Sequence, residues 1–179
     1  MARIIPNDPL LAIGRIIILI GQAIMGFAAA VLVVGIPLVI FLRDKATVEV
    51  RAELGNPDFV FPTLAVVLVM LLAMAIVVMA FLFLDRMRRI VDTVGEGDPF
   101  KPENAQRLTS MAWLMLGIQL LAIPAAGAGL YIAKLMEETD ATVDASIDLS
   151  GVVMVVTLFI LARVFRKGTE MRADLEGTV

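Results

Sequence analysis

Neither cysteine nor histidine occurs anywhere in this sequence. Without thiols there is no disulfide framework, no thiol nucleophile and no thiolate metal site, and without imidazoles the commonest general base and metal ligand are gone. Aromatic residues are scarce at 6%, with one tryptophan and one tyrosine. Charge is scarce as well: 18% of residues carry it, they cluster in segments between long apolar runs, and the net charge is −3. That balance has no basic footprint of the kind nucleic acid requires. No catalytic constellation replaces the missing groups, since Ser110, Ser150 and Thr157 have no visible base, and the expectation is a protein that is not an enzyme.

Apolar residues are what the chain has in abundance. They make up 60% of it, against roughly 45–50% in soluble domains, and the mean hydropathy is +0.92. Bilayer is the solvent this composition fits. Four runs are candidate spans: residues 11–42, 62–84, 111–135 and 149–165. The first resembles a signal peptide in having Ala28, Ala29 and Ala30 after an apolar start, but apolar residues continue well past them, so it reads as an uncleaved span. It is longer than the bilayer needs, which predicts tilt, a kink near Gly35 and Pro37, or an emergent end.

Arginines orient the spans. Arg86, Arg88 and Arg89 follow directly on the run that ends at Leu84, where basic residues of an untranslocated loop belong, and they are placed to meet lipid headgroups. Apolar Met87, Ile90, Val91 and Val94 keep helical spacing past the membrane, Gly95 is the expected left-handed cap, and Pro102 opens the next helix. Residues 85–110 therefore form a cytoplasmic helical hairpin. On this topology eleven Lys and Arg fall inside (Arg3, Arg15, Arg86, Arg88, Arg89, Lys101, Arg107, Arg163, Arg166, Lys167, Arg172) and four outside (Arg43, Lys45, Arg51, Lys134). Both termini are then cytoplasmic.

Two loops fall outside the cytoplasm, residues 43–61 and 136–148. Alternation over Thr47 to Leu54 and again over Val143 to Leu149 predicts two short strands that pair with each other. The acids of the second loop are a solvated face, without the spacing of a metal site. The fold class is thus an all-α membrane protein, a four-transmembrane-helix bundle with cytoplasmic helix extensions and a small extracytoplasmic β-strand pair.

Within the spans, Trp113 and Tyr131 of the third stand roughly 27 Å apart at helical rise, which suits the two aromatic belts. Its small residues 125–129 predict close approach by a neighbour and mark it as the centre of the bundle; Gly26 and Ala30 offer a similar face, and such faces permit a homodimer. No carboxylate lies inside the spans, which argues against a proton or ion path. The interior polar residues are Gln22, Gln119 and Thr157, at similar depth, and an interhelical hydrogen-bonded cluster is expected of them. No cofactor and no metal is implied.

Two motifs carry a resemblance. Gly97-Asp98-Pro99-Phe100-Lys101-Pro102-Glu103-Asn104-Ala105-Gln106-Arg107-Leu108, with the closing pattern from Ile147 through Phe159–Gly168 to Met171–Val179, resembles the YoaS-type bacterial integral membrane family, a domain of unknown function 2975. The chain departs from its pattern at Lys101, where a threonine or serine cap is common, and at Gly177, where an apolar residue is usual. The resemblance implies a place in the inner membrane of a bacterium and no catalytic role. Some members are encoded beside small helix-turn-helix regulators, which implies a membrane protein that holds or senses a soluble partner. The hairpin tip and the tail would then form one cytoplasmic face, with Phe100, Glu103, Asn104, Arg107, Arg166 and Arg172 as partner-binding residues. The alternative is a small transporter or a lipid- or small-molecule-binding bundle with a cavity lined by Gly127, Gly129 and Gln119.

Overall fold

Backbone groups in hydrocarbon must be satisfied within their own segment, so long apolar runs with few breakers fold as long helices. The structure, a computed structural model, describes residues 9–55, 57–136 and 149–176. It has four helices: α1 (Pro9–Leu54), α2 (Thr63–Gly95), α3 (Pro102–Leu135) and α4 (Leu149–Glu176). All four are long and apolar enough to cross a membrane, and the chain is a multi-pass integral membrane protein.

Among the described residues there is no strand, and one half of the expected strand pair is replaced outright. Thr47 to Leu54 form the last two turns of α1. Starting a helix is costly but lengthening one is not, because each added residue closes one further backbone bond. An alternation only eight residues long cannot outweigh continuation of a helix already formed over the preceding residues, and Ala46, Glu49, Ala52 and Glu53 suit a helix. The segment expected to pair with it, up to Leu149, lies outside the described residues except for Leu149 itself, the first residue of α4. The helix also runs through Pro37, and α3 runs through Pro124.

Two compact units are distinguishable. One comprises the described residues of Phe27–Val78 and Leu120–Ile147, so it holds the second part of α1, the first part of α2 and the end of α3. Its large apolar side chains turn outward, with Phe27, Phe41 and Leu64 exposed by 73%, 84% and 86%, as surfaces solvated by lipid rather than water should be. Helices approach closely at Gly35, where an added Cβ would lie 2.9 Å from Met70 Cε. Arg51 Nε donates to the Phe59 carbonyl at 2.6 Å, tying the end of α1 to the buried Phe59 of the following loop. A Cβ added at Gly127 or Gly129, expected at a crowded bundle centre, would meet no neighbouring described atom within 4 Å, and neither would one at Gly26 in the other unit. Small side chains permit close packing but do not compel it.

The other unit comprises the described residues of Met1–Gly26, Met79–Gln119 and Asp148–Val179. Here lies the densest packing. Leu108, Met111 and Ala112 of α3 meet Leu158 and Ala162 of α4, flanked by Phe83, Met87 and Ile90 of α2. The small side chains of Ala112 and Ala162 bring α3 and α4 together, while Gly21 and Gly117 place α1 and α3 within contact of Leu84 and Met79 of α2.

Candidate functional site

The turn between α2 and α3 is set by local chemistry. Gly97 has a φ of 81°; its N–H bonds to the Val94 carbonyl at 3.0 Å and the Asp98 N–H to the Thr93 carbonyl at 3.1 Å. That pair of bonds is a Schellman cap, whose left-handed residue is cheapest as glycine. The cap therefore falls at Gly97, two positions beyond the expected Gly95, which is the last residue of α2. Lys101 compensates for being a poor cap side chain by reaching back to Glu96, Nζ to Oε2 at 2.7 Å. This hydrogen bond is the main reason that the Lys101 pKa is raised above its ordinary value; desolvation opposes it, and the negative charges of Glu96, Asp98 and Glu103 add smaller upward pushes.

Asn104 locks the turn from inside. It is fully buried. Its Nδ2 donates to Thr93 Oγ1 at 2.8 Å and to the Pro99 carbonyl at 2.9 Å, while its Oδ1 accepts from Arg107 Nη1 at 2.8 Å. Thr93 passes its own proton to the Ile90 carbonyl at 2.8 Å, and Arg107 Nη1 also donates to the Arg89 carbonyl at 3.1 Å. The amide thus uses both donors and its acceptor within the hairpin, as burial demands. Of the expected partner-binding residues, Asn104 and Arg107 are thereby committed to holding the tip together. Thr93 is a participant the sequence reading did not single out; its place eleven residues before Asn104, on the facing helix of the hairpin, was the available signal.

The tail of α4 closes on this tip. Phe100 lies against Gly168, where an added Cβ would stand 2.8 Å from two of its ring carbons, and its ring centroid is 5.4 Å from that of Phe165. Thr169 Oγ1 lies 3.0 Å from the Phe100 carbonyl and 2.9 Å from that of Phe165, and Arg172 pairs with Asp98. Phe165, Gly168, Thr169 and Arg172 fall at i, i+3, i+4 and i+7, one face of a helix. Glu103, Gln106, Arg166 and Met171 remain exposed around this junction, and Phe100 keeps 41% of its surface.

The three arginines after Leu84 surround Asp85. Arg89 Nε is 2.9 Å from its carboxylate, Arg88 Nη2 3.5 Å and Arg86 Nη1 3.9 Å. Asp85 is largely buried, with 16% of its side chain exposed, so it neutralises part of the charge at the end of the apolar run. Arg86 Nε and Arg88 Nε are buried without a hydrogen-bond partner among the described residues. Arg15 reaches Asp92 at 3.5 Å.

Of the interior trio, Gln22 is buried and Gln119 half-buried, but Thr157 is exposed and gives its hydroxyl proton to the Val153 carbonyl of its own helix at 2.8 Å. A threonine can satisfy itself in this way, so depth alone does not recruit it to a neighbour. Among the described residues, no group of three or more acidic side chains is placed to hold a metal ion.

Neither the curated proteins nor the solved structures contain a match to this chain. The family model described as "Protein of unknown function (DUF2975)" matches residues 47–179, which include the hairpin, its cap and the tail that closes on it, and the chain belongs to that family.

Proposed function

We propose that this is a non-enzymatic scaffolding or regulatory protein of a bacterial cytoplasmic membrane, whose arginine-rich end docks a soluble cytoplasmic protein. The observation that supports the reading is the joining of hairpin tip to tail: Phe100 on Gly168 and Asp98 with Arg172. Two segments remote in sequence, neither needed to cross the bilayer, are fastened into one surface. Pre-organised surfaces bind at a lower entropic cost than segments that must be ordered first. Around the junction lie an exposed aromatic, an exposed methionine and charges of both signs, a mixture suited to a protein partner. Small helix-turn-helix regulators are the partner class the family resemblance puts first.

A photo-crosslinking residue at Glu103 or Gln106, in the full chain in its native membrane, tests this. Both sites are exposed and make no contact that holds the tip. The expected result is a crosslink to a soluble protein, lost when Gly168→Leu pushes Phe100 away while membrane levels stay constant. Crosslinks to lipid alone, or an adduct that persists in Gly168→Leu, would overturn the docking reading.

A further inference from the structure

The outward flank of α4 carries a second arrangement, independent of the docking reading. Arg163, Arg166, Lys167 and Glu170 fall at i, i+3, i+4 and i+7, a different face from the one that meets the hairpin tip. They border a groove of about 580 Å³ between α3 and α4, open on one side, whose remaining lining is Thr109, Phe159 and Ala162. Lys167 is paired with Glu170 at 3.1 Å. Arg163 and Arg166 make no hydrogen bond or ion pair with any described residue. Thr109 gives its proton to the Ala105 carbonyl.

At its other end the groove becomes apolar. Phe159 packs edge-on against Trp113, centroids 5.5 Å apart, and Trp113 is 61% exposed. Tryptophan belongs to the headgroup level of a bilayer, and Arg163 lies one turn, roughly 6 Å, beyond Phe159 along α4. With Trp113 at the membrane interface, two guanidinium groups that have no partner among the described residues would stand beside lipid phosphates, next to the apolar surface of Phe159 and Ala162. Arginine's planar fork is suited to phosphate oxygens, and basic pockets between spanning helices are a known form of headgroup site.

We infer that the α3–α4 groove is a binding site for one anionic phospholipid, its phosphate held by Arg163 and Arg166 and its acyl chains laid on Phe159 and Trp113. This assignment moves Arg166 from the protein-docking surface to the lipid site. It also separates specific lipid capture from Arg86, Arg88 and Arg89, whose charge is shared with Asp85.

Trp113 is the sole tryptophan, so its fluorescence reports on the groove from beside Phe159. The experiment titrates the purified full-length chain in neutral detergent with brominated phosphatidylglycerol or brominated phosphatidylcholine and follows quenching. The expected preference for the anionic lipid is about fivefold, the scale of one basic residue at an anionic surface. It should fall below about twofold in R163Q/R166Q, survive in large part in R163K/R166K, and resist inorganic phosphate at equal phosphate concentration. Equal quenching by the two lipids in the wild-type chain would overturn the assignment whether or not the variants fold. So would a preference that persists in R163Q/R166Q, or one lost instead in R86Q/R89Q. Displacement by inorganic phosphate would identify a soluble-anion site and overturn the lipid form of the proposal.

Discussion

Asn104 shows how a residue that reads as a surface contact becomes a keystone. An asparagine in the first turn of a helix, flanked by Glu103 and Arg107, has the company of an exposed polar face; the hairpin instead buries it completely. Replacing it by alanine leaves the Pro99 carbonyl and the Arg107 guanidinium short of a partner, at a cost of about 1–3 kcal/mol. Asn104→Asp is expected to be no better, because a carboxylate cannot donate to Pro99. Thermal unfolding of the detergent-solubilised chain checks both, and a midpoint equal to the wild type in either variant would refute the role. Glycines give a second contrast. Gly168→Ala drives its Cβ into the Phe100 ring at 2.8 Å, whereas Gly35→Ala meets only the end of Met70 at 2.9 Å. The first should destabilise by about 1–3 kcal/mol, and the second by clearly less, since a methionine terminus rotates aside. Neither difference is written in the residues themselves, for each depends on what the fold sets opposite the missing Cβ.

At the scale of elements, the sequence was most informative where apolar periodicity ran long and least where a short pattern adjoined it. The apolar runs and the hairpin pattern from Met87 to Val94 correspond to α1–α4. Alternation from Thr47 to Leu54 lost to elongation of α1, and at about 1.5 Å per residue the 46 residues of that helix extend roughly 69 Å, far beyond a 30 Å hydrocarbon core. The hairpin's cap moved from Gly95 to Gly97 because the bonds to Val94 and Thr93 decide which residue must be left-handed. One element has a pH signature. The Lys101 pKa is raised in the fold by Glu96, so the contact's contribution is complete below the pKa of an unfolded lysine and disappears as pH rises through the higher folded value. Hairpin stability should be insensitive to this pair at neutral pH and decline only in the alkaline range. Lys101→Met should lack that alkaline increment, as hydrogen exchange at the tip would register, and high salt should shrink it because the pair is exposed. A decline of equal size in the variant would dismiss the pair as its cause.

For the whole molecule, the decisive quantity is which side of the membrane holds each charged segment. Asp98 pairs with Arg172 and Phe100 rests on Gly168, so the hairpin tip and the end of α4 share a compartment. Single cysteines introduced at Glu103 and Met171, in a chain that has none of its own, should both be labelled by an impermeant maleimide in inverted vesicles and neither in spheroplasts. Opposite labelling of the two would rule out the junction on which the docking proposal stands.

Composition and the length of its apolar runs determined by themselves that this chain is helical and spans a membrane, because a bilayer leaves a single segment no other way to satisfy its backbone. The motifs around Gly97 and Arg172 were enough to indicate the family. Only the tertiary structure decided that Asn104 is buried, that Thr157 satisfies itself, that the glycine-rich part of α3 is uncrowded, and that Arg163 and Arg166 border the α3–α4 groove with no partner among the described residues. Those outcomes depend on which side chains the folded helices bring opposite one another, a relation between distant residues that local spacing does not encode.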